Sequence, residues 1–304
     1  MTDTRRTAAT APPGGSERST APSVPTGPAD VVAPQIDPNE VQDVGTPSRP
    51  FVDRLVSLGW TVLSGVLFIG LWQLVSMRVG SVVLPRPLQS IGAIGDAVEA
   101  GYLWSDMRIT AIRIAGAFSL ALGLAITFGV TLGVSKVATK LFGNWVTIAA
   151  SIPSLLYIVI AYLWIGLNDR AAIIGGALVV LPTITFNIWQ GMKSLDPELS
   201  EMSRAFGVSK RTTITRVLLP QTLPFIFAAS RLGLALTWKI MIFVELLGRS
   251  SGVGYRIQFW YNLFNMERVL AAAIPFILVM LTLEFAVLRP AERYLFRWKR
   301  EESR

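Results

Sequence analysis

Six stretches of this chain are apolar for long enough to cross a lipid bilayer, near residues 57–77, 109–134, 143–166, 171–192, 223–247 and 269–288. About 20 mostly apolar residues, at about 1.5 Å rise each, span roughly 30 Å of hydrocarbon. The bilayer offers no water to backbone groups, so each stretch has to satisfy its own hydrogen bonds as a helix. The expectation is an all-α membrane protein with about six transmembrane helices. The second stretch is long enough for an extra turn, which leaves a range of five to seven.

Composition agrees and removes several functions. Hydrophobic residues make up 52% of the chain and charged residues 16%, against about 25% charged in a soluble domain. With no cysteine, disulfides and thiolate metal sites are excluded. With no histidine, the commonest general base and metal ligand is missing, which argues against metalloenzyme and Ser-His-Asp chemistry. The net charge of +8 gathers in loops between the apolar stretches, a positive-inside pattern that needs no nucleic-acid partner.

The same loops set the orientation. Cations crowd residues 193–216 and 289–300, with Arg49, Arg54, Lys136 and Lys140 on the same side, while the alternate loops keep fewer. Both termini are therefore expected in the cytoplasm. Residues 1–50 hold nine of the eighteen prolines and no periodic apolar pattern, which reads as a disordered cytoplasmic tail ahead of a transmembrane domain over 51–304. Arg5-Arg6 is followed by no apolar run for about fifty residues, unlike an export signal.

Three connections have readable content. After the first stretch, Leu88, Ile91, Ile94 and Val98 recur on one helical face, predicting a short amphipathic helix at the outer surface. Gly166 to Arg170 forms a tight polar turn. "GRSSGVGYRIQFWYNLFNMER" is glycine-rich and then aromatic, and Trp260, Tyr261 and Phe264 suit interfacial anchors or a re-entrant segment.

A fourth connection, about 193–222, is longer than joining two helices requires. Asp196 is an N-cap candidate, with Pro197 at the first helical position. Leu199, Met202, Ala205 and Phe206 line one face, while Glu198, Glu201 and Arg204 line another. Gly207 is suited to a left-handed helix stop and Ser209 to capping a second short helix, with Ile214, Val217 and Leu218 as its apolar face and Pro220 as its end. A helix–glycine–helix elbow with apolar faces is a docking surface for a protein partner.

This elbow resembles the cytoplasmic EAA loop of binding-protein-dependent ABC import permeases: Glu-Ala-Ala, three residues, Gly, nine residues, Ile-x-Leu-Pro. Glu201, Gly207, Val217, Leu219 and Pro220 fall at that spacing, while Met202 and Ser203 replace the two alanines. The likeness covers about residues 55–300 and points to the nitrate/sulfonate/taurine branch. Arg113 and Gly116 keep that branch's Arg-x-x-Gly spacing, and Arg231, Trp238 and Glu245 fall in register with its fifth span.

The resemblance implies the type I importer permease fold in a bacterial inner membrane. It implies a second permease copy, two separate ATP-binding cassette subunits that receive the elbows, and an external substrate-binding protein. It places Glu201, Ala205, Gly207, Val217, Leu219 and Pro220 in the ATPase-coupling loop. No GxxxxGK[ST] loop occurs, so no cofactor is expected here, ATP being bound by the partner.

Intramembrane charges are the candidates for the substrate pathway, because each is costly in hydrocarbon. Arg231, Lys239 and Glu245 lie along the fifth stretch, with Arg113 and Glu284 elsewhere. Lys239 is near mid-membrane, where it either meets an anionic substrate or pairs with a carboxylate such as Glu245, the pairing slightly preferred. A competing class is an ion-coupled secondary transporter with Glu245 and Glu284 as relay carboxylates. That class predicts an inverted repeat, which the sequence lacks, and leaves the elbow unexplained.

Overall fold

The structure is a computed structural model that describes residues 50–195, 201–203 and 205–290. Its helices in chain order are α1 (Pro50–Val79), α2 (Pro87–Glu99), α3 (Tyr102–Val134), α4 (Lys136–Ser151), α5 (Ser154–Ile165) and α6 (Asp169–Lys193). Then come α7 (Lys210–Thr213), α8 (Leu219–Gly248), α9 (Val253–Asn262) and α10 (Met266–Thr282). Two π-wound segments, Ile214–Leu218 and Leu283–Leu288, follow α7 and α10. The described residues contain no strand. The chain divides into Met1–Val62 and Leu63–Arg304, and the packing described here lies within the second unit. The predicted tail over 1–50 falls almost wholly outside the described residues.

α6 is the axis of the bundle, with α3, α5 and α8 packed around it. Small residues permit this. On α3, Ala117, Ala121, Ala125 and Gly129 are buried at a spacing of four, which lets two backbones approach in lipid, where hydrophobic burial supplies no drive. A Cβ on Gly129 would come within 2.8 Å of Ile188 on α6. Likewise Gly175 of α6 faces Ile158 and Ala161 of α5, and Gly176 faces Met241 of α8. Trp238 stacks on Phe276 with ring centroids 4.6 Å apart, joining α8 to α10.

Five helices are long and apolar enough to span, and the pair α4–α5 makes a sixth if it counts as one broken span. The stretch at 143–166, expected as one helix, is thus two helices that meet at 96°. Pro153 is the reason, since its missing N–H and its ring both oppose helix continuation. The second span begins earlier than expected, at Tyr102.

The predicted helix after the first span is α2, held by Gln89 Oε1 accepting from the Arg86 N–H at 2.9 Å. Its buried face is Ser90, Ala93 and Ala97, while Leu88, Ile91 and Val98 point outward. Close packing on α10 and α3 favours the small residues and leaves the large apolar ones for the surface. The loop before α2 is tied to α1 by Trp72 Nε1 donating to Pro85 O (3.0 Å) and Ser76 Oγ donating to Leu84 O (2.7 Å).

Candidate functional site

The elbow between α6 and α8 begins with helical residues 201–203. The expected cap and first turn at Asp196, Pro197, Glu198 and Leu199 lie outside the described residues, as does Arg204. The helix stops at Gly207, whose φ is +66°. The Val208 N–H reaches Ser203 O at 2.9 Å, the long bond of a Schellman stop, which needs a left-handed residue before it. Ser209 Oγ accepts from the Thr212 N–H at 3.2 Å, capping α7 as expected.

Around this stop Met202, Phe206 and Val208 are exposed, Phe206 at 78%. Glu201 and Ala205 are exposed too, and Val217 is half-buried. The side chains of Ile214, Leu218 and Leu219 lie outside the described set. The second elbow helix departs from expectation, with one α-turn at Lys210–Thr213 giving way to the π-wound Ile214–Leu218. Pro220 does not close the elbow, because the chain runs helically through it into α8. Proline is tolerated in the first turn of a helix, where its absent N–H would have no intrahelical partner.

At the opposite end of α8 a polar network is sealed inside the bundle. Arg113, Glu245, Asp106 and Thr110 are all buried. Arg113 Nη1 donates to Glu245 Oε1 (2.6 Å) and Ser251 O (2.7 Å), and Nε and Nη2 donate to Asp169 Oδ1 (2.9 and 2.7 Å). Thr110 Oγ1 and the Gly254 N–H donate to Glu245, each at 2.9 Å. Arg256 Nε pairs with Asp106 Oδ2 at 2.7 Å, and Arg249 Nη2 with Asp169 Oδ1 at 2.8 Å.

The network pins the loop between α8 and α9 against α3 and the start of α6. Gly252 in that loop has φ +102°, and a Cβ there would strike the Glu245 carboxylate. Of its members, sequence reasoning had singled out only Arg113 and Glu245. Asp106 and Asp169, at the starts of their apolar stretches, were the available signal for the rest.

The expected alternative of a Lys239–Glu245 pair does not form. Six residues along a helix turn about 600°, which leaves the two side chains about 120° apart around α8, and Glu245 is taken by Arg113. Lys239 is exposed and has no ion pair or hydrogen bond among the described residues. Arg231 pairs with Glu284 of the second π-wound segment, both groups partly exposed, with Arg289 3.8 Å from the same carboxylate. Arg231, Glu284, Ala228, Leu232, Ala235 and Met280 line a cleft of about 400 Å³. The three pathway candidates therefore have distinct surroundings among the described residues: Glu245 in a sealed network, Arg231 in a partly exposed pair, Lys239 exposed and without a partner there.

The fold is thus a bundle of apolar spans with an exposed, glycine-stopped elbow between its fourth and fifth crossings. The chain belongs to the family described as the binding-protein-dependent transport system inner membrane component, which matches residues 121–289. It is similar to a Bacillus subtilis protein named as an aliphatic sulfonates transport permease, 29% identical over 79% of this chain and 88% of that one. It is also similar to the taurine transport system permease protein of Escherichia coli, 24% identical over 82% of this chain and 92% of that one. Among solved structures, an amino acid ABC transporter crystallised with histidines superposes with a TM-score of 0.57 at 15% identity. That match covers 66% of this chain and 97% of the other and shows the type I permease fold. The chain is thus a multi-pass integral membrane permease subunit of an ABC importer.

Proposed function

We propose that this subunit forms the translocation route for a small organic anion of the sulfonate class. It works as a homodimer with two ATPase subunits on its elbows and an external binding protein that delivers substrate. The observation that carries the coupling role is the elbow: Gly207 holds a stop that leaves Met202, Phe206 and Val208 exposed on one short connection. Exposed apolar side chains on a polar connection fit a docking surface better than a solvated loop. The Lys and Arg bias supports a cytoplasmic position for this elbow and both termini, where an ATPase would meet them. The chain itself neither binds nor hydrolyses ATP.

The anionic substrate class rests on Lys239, whose exposed ammonium has no partner among the described residues. A sulfonate is a permanent anion with three acceptor oxygens, which suits such a group. The relatives named for aliphatic sulfonates and taurine agree in substrate chemistry. The test is uptake of radiolabelled taurine by proteoliposomes holding the full complex with its binding protein. Uptake should need ATP and be competed by other sulfonates. Uptake driven by a proton or sodium gradient without the ATPase would overturn the reading in favour of a secondary transporter.

A further inference from the structure

Beyond α10 the helix widens, and the widening moves one cation. Leu283–Leu288 is π-wound, and the Arg289 N–H donates to Glu284 O. In an α-helix five residues turn about 500°, which would leave Arg289 about 140° away from Glu284 around the axis. The wider turn closes on the fifth residue instead, so Arg289 comes round beside Glu284. That carboxylate already takes Arg231 of α8, through Nε at 3.0 Å and through Nη2. Arg289 Nε approaches it at 3.8 Å, beyond hydrogen-bonding length, and the Arg289 guanidinium lies 4.2 Å over the Phe285 ring. Two guanidinium groups thus gather round one carboxylate, and Arg289 is half-exposed.

The surroundings of this cluster are apolar. The cleft of about 400 Å³ lined by Arg231 and Glu284 has Leu232 of α8 and Met280 and Leu281 of α10 among its walls. Leu281 also belongs to an exposed apolar stripe with Leu278 and Phe285. Glu284 and Arg289 bracket the end of the span Met266–Leu288, on the side that the Lys and Arg bias supports as cytoplasmic. A phospholipid presents both chemistries at this depth, a charged headgroup at the surface and acyl chains beneath it. The cations select an anionic one, whose phosphodiester oxygens suit a guanidinium. Basic pockets between membrane helices on the cytoplasmic side take such headgroups.

We propose that the Arg231–Glu284–Arg289 cleft binds the phosphate of an anionic phospholipid in the cytoplasmic leaflet. Glu284 holds the two guanidinium groups together, Arg289 offers its outward donors to the phosphate, and an acyl chain lies over Leu281 toward Leu278. The lipid then bridges α10 to α8, the helix that continues from the elbow.

Native mass spectrometry tests this on the full transporter, delipidated in detergent and titrated with phosphatidylglycerol or phosphatidylcholine. Phosphatidylglycerol should bind more tightly than phosphatidylcholine. Arg289→Gln should weaken its binding about tenfold or more, the scale of a lost charge-assisted hydrogen bond. Leu281→Trp narrows the cleft without changing its charges and should weaken binding too, which keeps the test open if Arg289→Gln fails to assemble. Arg78→Gln, which removes an exposed cation at the end of α1, should leave binding unchanged. Equal affinity for the two lipids, or wild-type affinity in both cleft variants, would overturn the proposal. An equal loss in Arg78→Gln would overturn it as well, by showing attraction to charge in general. Displacement of phosphatidylglycerol by inorganic phosphate or taurine would replace it with a site for free anions. The chain has no native cysteine, so a disulfide between the Leu281→Cys positions of two copies would also overturn it, by showing this face covered by a second permease.

Discussion

Arg113 Nη1 sits 2.6 Å from Glu245 Oε1 with both side chains sealed from solvent, across 132 residues of chain. The pair joins α3 to α8. Thr110, Ser251, Asp169 and the Gly254 N–H fill the remaining hydrogen-bonding positions around it, which is what allows two charges to remain buried. Arg113→Met leaves the Glu245 carboxylate buried without its cation and should destabilise the subunit by about 3–5 kcal/mol. Arg113→Met/Glu245→Leu removes both charges and should recover part of that loss. Thermal unfolding of the three proteins in detergent checks the order, and a double variant no better than Arg113→Met would show that hydrogen bonds outweigh the charge.

The elbow gives a second expectation. Among the described residues nothing lies within 4 Å of where a Cβ on Gly207 would sit, so backbone conformation, at φ +66°, is the constraint there. A left-handed non-glycine residue costs about 1–2 kcal/mol, and a β-branched one more. Gly207→Val should insert at normal levels but lose uptake and substrate-stimulated ATPase activity. Gly207→Asn, which tolerates the left-handed region, should keep most of both. Normal uptake by Gly207→Val would remove the stop from the coupling path.

What could be read in the sequence followed from local chemistry. Five of the six spans, the Gly207 stop and the Ser209 cap depend on residues within a turn or two of one another. The break at Pro153 lay hidden because apolar residues continue on both sides of it, and hydropathy does not register a lost hydrogen bond. The partner of Glu245 was beyond reach for another reason. Lys239 is near it in sequence, yet helical rotation turns the two apart, while Arg113 meets it only through packing of α3 on α8. The buried stripe of Ala117, Ala121, Ala125 and Gly129 was legible at its spacing of four, but hydropathy does not mark which face of an all-apolar helix is inward.

Arg231 and Glu284 lead to a third expectation. Their side chains are 31% and 19% exposed, and a partly solvated pair of this kind contributes about 0–1 kcal/mol. Glu284→Gln should therefore change stability little. Glu284→Arg instead gathers three guanidinium groups, with Arg231 and Arg289, on one carboxylate's site and should impair assembly. Arg231→Glu/Glu284→Arg restores an opposite-charge pair and should recover it. Size-exclusion profiles of the purified complex distinguish the three, and failure of the double variant would show that Arg231 acts through contacts other than this carboxylate.

Lys239 yields the sharpest expectation because it separates a functional charge from a structural one. Its ammonium is exposed in the second half of α8, and the nearby carboxylate of Glu245 is already occupied by Arg113. Lys239→Met removes the charge and keeps most of the side-chain length, leaving no buried counter-charge behind. Unfolding temperature and complex assembly should stay at wild-type level, since surface substitutions of this kind fall within about 0.5 kcal/mol. Uptake of an anionic substrate should fall tenfold or more, because a hydrogen bond to a charged group is worth about 1.5–3 kcal/mol. Lys239→Arg retains the cation and should keep a measurable fraction of uptake. Unchanged uptake by Lys239→Met would exclude the residue from the route, and a lowered unfolding temperature would reveal a partner for it in the assembled transporter.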